Sequence, residues 1–176
     1  MIIYFMRHAN AGEKRADPIK DEKRPLDKDG VLQCRYVGAL LSALDVQVDQ
    51  VITSPLKRAT QTASLVGNEI GFDARLQISD SLRPSATFED FRALLNACAK
   101  HEAIMVVGHN PNLTEFVSQV VTNGGSRKSI ELKKGSVARV DFSPKRSVLN
   151  WMITPKLARA LYGSAHSKSL PKTSRK

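Results

Sequence analysis

Arg7 and His8 stand side by side where an apolar run, Ile2–Met6, gives way to small and polar residues. A guanidinium fork matches two oxygens of a phosphoryl group and stays charged at any physiological pH. An imidazole beside it can donate a hydrogen bond, carry a proton or act as a nucleophile. Two more groups of this kind follow two other apolar runs: Arg58 comes shortly after Gln50–Ser54, and His109 directly follows Ala103–Gly108. Taken singly, Arg7 reads as a surface charge and His109 as a capping or core imidazole. Together, at three strand ends far apart in the chain, they describe the rim of one binding site for a compact anion, and phosphate fits best.

The elements that must bring them together are legible in the pattern. Ile2–Met6, Gln50–Ser54 and Ala103–Gly108 are rich in β-branched residues and free of interior charge, as buried parallel strands are. Between the first two, Val31, Cys34, Val37, Leu41 and Leu44 recur at helical steps over Gly30–Leu44. Ser54-Pro55 offers an N-cap and a first-turn proline for a second helix running to about Glu69. Thr87 caps a third, with Phe88, Phe91, Leu94, Leu95 and Cys98 inward, and Asn110-Pro111 opens a fourth carrying Leu113, Phe116, Val117 and Val120. In an open parallel sheet the carboxyl ends of the strands border the ligand crevice, and the helix N-termini there add unpaired N–H groups.

The last third departs from this rhythm. Ser136–Phe142 and Ser147–Ile153 flank the turn residues Ser143-Pro144-Lys145-Arg146, a hairpin at one edge of the sheet. Thr154–Tyr162 reads as a closing helix. The expected fold is an α/β three-layer sandwich with a mostly parallel, mixed sheet.

A chain of 176 residues, 41% hydrophobic and 25% charged, suits one domain with a packed core. No apolar run approaches the ~18 residues of a membrane span, and Met1–Met6 is too short for a signal segment. A cytoplasmic protein with no membrane partner is expected. Cys34 and Cys98 lack metal-ligand spacing and read as buried free thiols; no metal and no cofactor is called for. The formal charge of +10 invites a nucleic-acid reading. Four of those charges, on Lys168, Lys172, Arg175 and Lys176, fall in the acid-free segment Gly163–Lys176, read as a disordered arm. Nucleic acid is therefore the less favoured partner, and the catalytic domain is drawn over residues 1–162.

"RHA" after the first strand, "SPLKRATQTA" (Ser54–Ala63) and "VGHNP" (Val107–Pro111), in that order, resemble the signatures of the histidine phosphatase superfamily, the phosphoglycerate-mutase-like phosphatases. The short chain and "RPLDKDG" (Arg24–Gly30) resemble its small bacterial phosphohistidine phosphatases. The resemblance implies a phosphoglycerate-mutase-like fold, His8 as the phosphorylated nucleophile, and Arg7, Arg58 and His109 as the phosphate site. Similar small phosphatases have an arginine in the position of Arg24, in a loop that could return over the phosphate. Asn10, Asn110 and Ser136 are further candidates to donate to a phosphate oxygen, against plainer roles as turn former, helix cap and strand-entry residue. Asp17, Asp21 and Asp27 read as loop solvation and capping.

Two departures from the family pattern carry expectations. Ala9 stands where the family usually has Gly, which would narrow the approach of backbone to phosphate. Members acting on alkyl phosphates commonly carry a carboxylic general acid where this chain has Leu82-Arg83-Pro84, with Asp80 and Glu89 near but unpersuasive. An alkoxide leaving group needs that proton, typically a ~10²–10⁴-fold contribution, whereas a phosphorylated imidazole can take one from solvent. The expected activity is thus hydrolysis of protein phosphohistidine, for example on a phosphotransfer domain in signal transduction, releasing phosphate. A small-molecule phosphomonoesterase of the same fold and a non-catalytic phosphate- or nucleic-acid-binding module are the alternatives. The oligomeric state is left open.

Overall fold

The three apolar runs that end in cationic residues become three neighbouring strands. The computed structural model describes residues 1–122 and 130–166, the last four of these as helical backbone. β1 (Ile2–Arg7), β4 (Ala103–Gly108), β2 (Gln50–Thr53) and the short β3 (Gln77–Ile78) run parallel in a sheet of order β3-β2-β4-β1-β5-β6. β5 (Val137–Asp141) lies antiparallel to β1 and forms the edge hairpin with β6 (Val148–Ile153). The sheet is mixed and mostly parallel, as the patterning predicts.

Both faces of the sheet are covered, which explains why the central strands are apolar without alternation. Tyr4, Met6, Val51, Met105 and Val107 pack with α2 (Lys28–Ala43), α3 (Lys57–Glu69) and α6 (Pro155–His166). Ile3, Phe5, Ile52, Ile104 and Val106 point the other way, onto α4 (Phe88–Ala97) and α5 (Asn112–Thr122). There Phe91 and Phe116 stack with ring centroids 4.8 Å apart. Cys34 and Cys98 sit one in each core as free thiols, and burial pushes the Cys34 thiol up to about 12.

Several elements differ in detail from their patterning. α2 buries Gly30, Cys34, Val37, Gly38 and Leu41, while Val31 and Leu44 are exposed. The stripe is turned because Gly38 sits against Glu69 of α3, where a side chain would meet it at 2.6 Å. α3 starts at Lys57 with Leu56 at its N-cap and no side-chain cap; Ser54 is drawn away to His109. α4 does carry the Thr87 cap, reciprocated by Asp90. The short helix α1 (Pro18–Glu22), β3 and a 3-10 turn at Asp80–Leu82 carry too little apolar periodicity to be read in advance. α6 continues to His166, four residues past the expected domain end, and the rest of the expected arm lies outside the described residues. Among the described residues, no helix is long and apolar enough to cross a membrane.

Candidate active site

Parallel pairing brings the cationic strand ends level. Arg7 pairs with Gly108 across β1 and β4, and Thr53 with Val107 across β4 and β2. The His8 N–H then donates to the Gly108 carbonyl (3.0 Å) and the Ser54 N–H to the Val107 carbonyl (3.0 Å). His8 and His109 therefore leave adjacent strands side by side, with Arg58 arriving from the first turn of α3. All three, with Arg7, Arg24 and Asn110, line one cleft of about 600 Å³ at the carboxyl end of the sheet.

The His8 ring is held by its own loop. Its Nδ1–H donates to the Ala9 carbonyl at 2.7 Å, and because a carbonyl can only accept, the second nitrogen, Nε2, carries the free lone pair. Burial, then the charges of Arg58, Arg7 and Lys134, push the His8 pKa down to about 3 despite the opposing bond to Ala9. His109 is pushed down to about 2 by burial and by His8, Arg58 and Arg7, with Asp21 opposing. Its Nε2 shares a hydrogen bond with Ser54 Oγ at 2.9 Å. Both rings are neutral at cell pH until an anion enters.

The guanidinium groups are anchored at one end and unsatisfied at the other. Arg7 Nη1 donates to the Leu132 carbonyl (2.9 Å). Arg58 Nη1 donates to the Asp21 carbonyl (2.9 Å) and lies 3.3 Å from Asp21 Oδ2. Arg7 Nε, Arg58 Nε and His109 Nδ1 are buried without a hydrogen-bond partner among the described residues. Each such orphan costs about 1–3 kcal/mol. Burial lowers the pKa of both arginines, so a negative charge entering beside them is favoured. The uncapped N-terminus of α3 adds unclaimed first-turn N–H groups at the same place.

Asp21 is the anchor that loop patterning misses. It is 7% exposed and accepts from the Arg15 N–H (2.9 Å) and from Arg24 Nε (2.8 Å), besides pairing with Arg58. Burial acts to raise its pKa, but those bonds and the Arg24 and Arg58 charges outweigh it and hold the carboxyl at about 2. Asp17 and Asp27, by contrast, cap α1 and α2 as expected. Lys134 is the other missed neighbour. It precedes β5, and a strand antiparallel to β1 has to begin beside the end of β1, which is the signal that could have placed it.

The remaining candidates divide. Arg24 lines the cleft, but much of its fork clamps the loop through the Ala11 (2.6 Å) and Gly12 (3.2 Å) carbonyls. Asn110 lines it too, with its amide donating to the Leu132 carbonyl and its oxygen accepting from Thr114. Asn10 and Ser136 are not brought to the cleft wall. Asn10 is spent between Asp27 Oδ2 (3.0 Å) and Lys134 Nζ (3.0 Å), and Ser136 is fully buried with its Oγ unpartnered among the described residues. Ala9 is likewise fully buried, packed in the core with its N–H on Thr62, so its methyl does not narrow the cleft. Where an acid would stand, Arg83, Pro84 and Ser85 line the mouth, and Asp80 has an 81% exposed side chain turned to Arg83. The acids that line the cleft, among the described residues, are Asp21 and Glu22. Glu22 pairs with Arg83 at 2.8 Å.

A three-layer sandwich that gathers two imidazoles and the arginines at the carboxyl end of its sheet defines a class of α/β proteins with a cationic, histidine-paired cleft. Comparison with known proteins narrows it: residues 3–86 match the family model for the histidine phosphatase superfamily (branch 1), and the chain belongs to that superfamily. It is 33% identical over 140 residues to an uncharacterised protein of Picosynechococcus sp., covering 78% of this chain and 82% of that one. It is 25% identical over 166 residues to the phosphohistidine phosphatase SixA of Escherichia coli, covering 92% of this chain and all of that one. The solved structure of the protein histidine phosphatase SixA with tungstate superposes with a TM-score of 0.79 at 23% identity, covering 89% of this chain and 98% of the other.

Proposed function

We propose that the protein is a phosphohistidine phosphatase that works through a covalent phospho-His8 intermediate. The observation that carries this reading is the bond from His8 Nδ1–H to the Ala9 carbonyl, which leaves Nε2 bare in a cleft lined by arginines. In the first step Nε2 forms a bond to phosphorus as the phosphorus–nitrogen bond of the substrate breaks, and the departing imidazole takes a proton from solvent. In the second, water attacks phospho-His8, the His8 ring leaves with its electron pair, and inorganic phosphate departs. Arg7, Arg58 and His109 hold the equatorial oxygens, where preorganised donors typically contribute ~10²–10³ in rate each.

The state of the carboxyls supports the choice of leaving group. Asp21, held at about 2, has no proton to give at neutral pH, and Glu22 is engaged by Arg83. A leaving group that needs no positioned acid suits such a site. The physiological setting proposed is a cytoplasmic one, acting on a phosphotransfer protein in a signalling chain.

The test is to incubate the protein, without added metal, with a phosphohistidine protein and separately with p-nitrophenyl phosphate, and to trap phosphate on the enzyme. Acid-labile, alkali-stable label that disappears in His8→Ala together with turnover is the expected result. Turnover retained in that variant refutes the covalent route, and a preference for aryl or sugar phosphates over phosphohistidine refutes the substrate.

A further inference from the structure

The cleft holds more positive charge than a phosphoryl group calls for. His8, Arg24, Arg58 and His109 are each at most 9% exposed and form its floor, yet Lys14, Arg15 and Arg83 line the same cleft nearer solvent. A volume of about 600 Å³ is that of a site for a sizeable ligand, so most of it is left for whatever carries the phosphate. Lys14 and Arg15 make no side-chain ion pair among the described residues. Arg83 pairs with the exposed Asp80 through Nε and reaches across the mouth to Glu22 through Nη1, joining the loop after the 3-10 turn to α1; both pairs are partly exposed, the second with side chains 33% and 54% exposed. Exposed pairs of this kind are worth little, so a competing carboxylate can replace Glu22 at small cost.

Resting on the phosphohistidine reading above, we propose that Lys14, Arg15 and Arg83 form a docking rim for carboxylates that flank the phosphorylated histidine on an acidic partner protein. The inner groups take the phosphoryl oxygens, and the rim reads the surface around it. Long, solvated cations on two facing loops give charge selection and faster encounter rather than a rigid fit, so their effect falls with salt. The chain's charge of +10 works in the same direction.

The experiment uses the full chain and two short phosphohistidine peptides, one flanked by Asp and Glu and one by Lys and Ser, with N-phosphoimidazole as a substrate that has no flanks. The wild type should favour the acidic peptide on the order of tenfold in kcat/KM, mostly through KM, and lose that preference between low salt and ~0.2 M. The combined variant Lys14→Glu, Arg15→Glu, Arg83→Gln should abolish or invert the preference while kcat for N-phosphoimidazole stays within about twofold, since the phosphoryl oxygens are assigned to the inner groups and the rim acts on capture. Equal kcat/KM for both peptides in the wild type, or a preference that survives high salt or the variant, overturns the rim. No turnover of either peptide or of N-phosphoimidazole, with p-nitrophenyl phosphate still hydrolysed, overturns the phosphohistidine reading itself.

Discussion

His8 and His109 face each other with ring centroids 5.0 Å apart, and each is held through the opposite nitrogen: His8 by Nδ1 to the Ala9 carbonyl, His109 by Nε2 to the Ser54 hydroxyl. The Leu56 N–H donates to Ser54 Oγ at 3.4 Å; when the hydroxyl hydrogen in turn points at His109 Nε2, the proton of that ring sits on Nδ1. In that arrangement the two rings carry complementary groups, a lone pair on His8 and an N–H on His109 Nδ1. Nothing in the bare rings distinguishes them; the backbone carbonyl on one and the serine on the other do.

Holding both rings neutral has a consequence for stability. Their pKa values in the folded chain, about 3 and about 2, lie below the ordinary value near ~6.5. As pH falls below ~6.5 the unfolded chain binds protons that the folded chain refuses, so stability is lost on acidification and not on alkalinisation. At pH 5 the loss is roughly 2 kcal/mol per ring. Below ~3.9, Asp21 adds a further loss as its partners in the fold must give way to a proton. Urea midpoints from pH 8 to pH 5 check this: a steady fall is expected, and it should flatten in His8→Asn/His109→Asn. A profile level from pH 8 to pH 5 in the wild type would contradict the neutral pair.

Asp21 ties the position of Arg58 to the loop that carries Arg24, so Asp21→Asn separates charge from geometry. Removing the carboxylate leaves two arginines closer to unpaired and costs about 3 kcal/mol of stability. It also makes the cleft more positive. Inorganic phosphate should therefore inhibit the variant more tightly than the wild type while kcat falls by about 10², because the Arg58 fork keeps its bond to the residue 21 carbonyl but loses the carboxylate that fixes its angle where charge develops. A variant with kcat unchanged would show that Asp21 serves the fold alone.

Ser136 is a candidate phosphate donor by sequence and a buried orphan by structure, and the two predict opposite outcomes for Ser136→Ala. Its Oγ has no partner among the described residues, so deleting it removes an uncompensated desolvation cost of about 1–3 kcal/mol. The variant should melt at or above the wild-type temperature with KM unchanged. A raised KM with the fold intact would restore Ser136 to the site.

The fold was readable because its logic is local: unalternating apolar strands, helical stripes, and the Thr87 and Asp27 caps each follow from residues within a few positions. The cationic cluster was readable because parallel strands ending level deliver their next residues to one rim. What was not readable is burial of charge. "KDEKR" looks like a solvated run, and only the tertiary arrival of Arg58 turns Asp21 into a buried anchor. The Ser54 hydroxyl shows the same limit. Pattern assigns it to the helix that follows, whereas a histidine from the neighbouring strand claims it. Lys134 falls between the two, since its place follows from the hairpin direction once the partner strand is known.

Gly30 tests whether the loop that aims His8 depends on close backbone contact. In the interior of a helix, Gly→Ala ordinarily stabilises by about 1 kcal/mol. Here a Cβ would stand 1.9 Å from the carbonyl oxygen of Asn10, a backbone atom that also accepts the Asp27 N–H at 3.2 Å. Relief requires α2 or the 8–12 loop to move, and that loop contains both the carbonyl that fixes the His8 tautomer and the carbonyls that clamp Arg24. Gly30→Ala should therefore lose about 1–3 kcal/mol in urea unfolding, and the folded fraction should show a kcat reduced by tenfold or more. Gly71→Ala serves as the control, since its added methyl meets nothing within 4 Å and only its φ of +75° is strained; it should lose stability without losing kcat. If Gly30→Ala behaved like Gly71→Ala in turnover, the aim of His8 would not depend on the approach of α2.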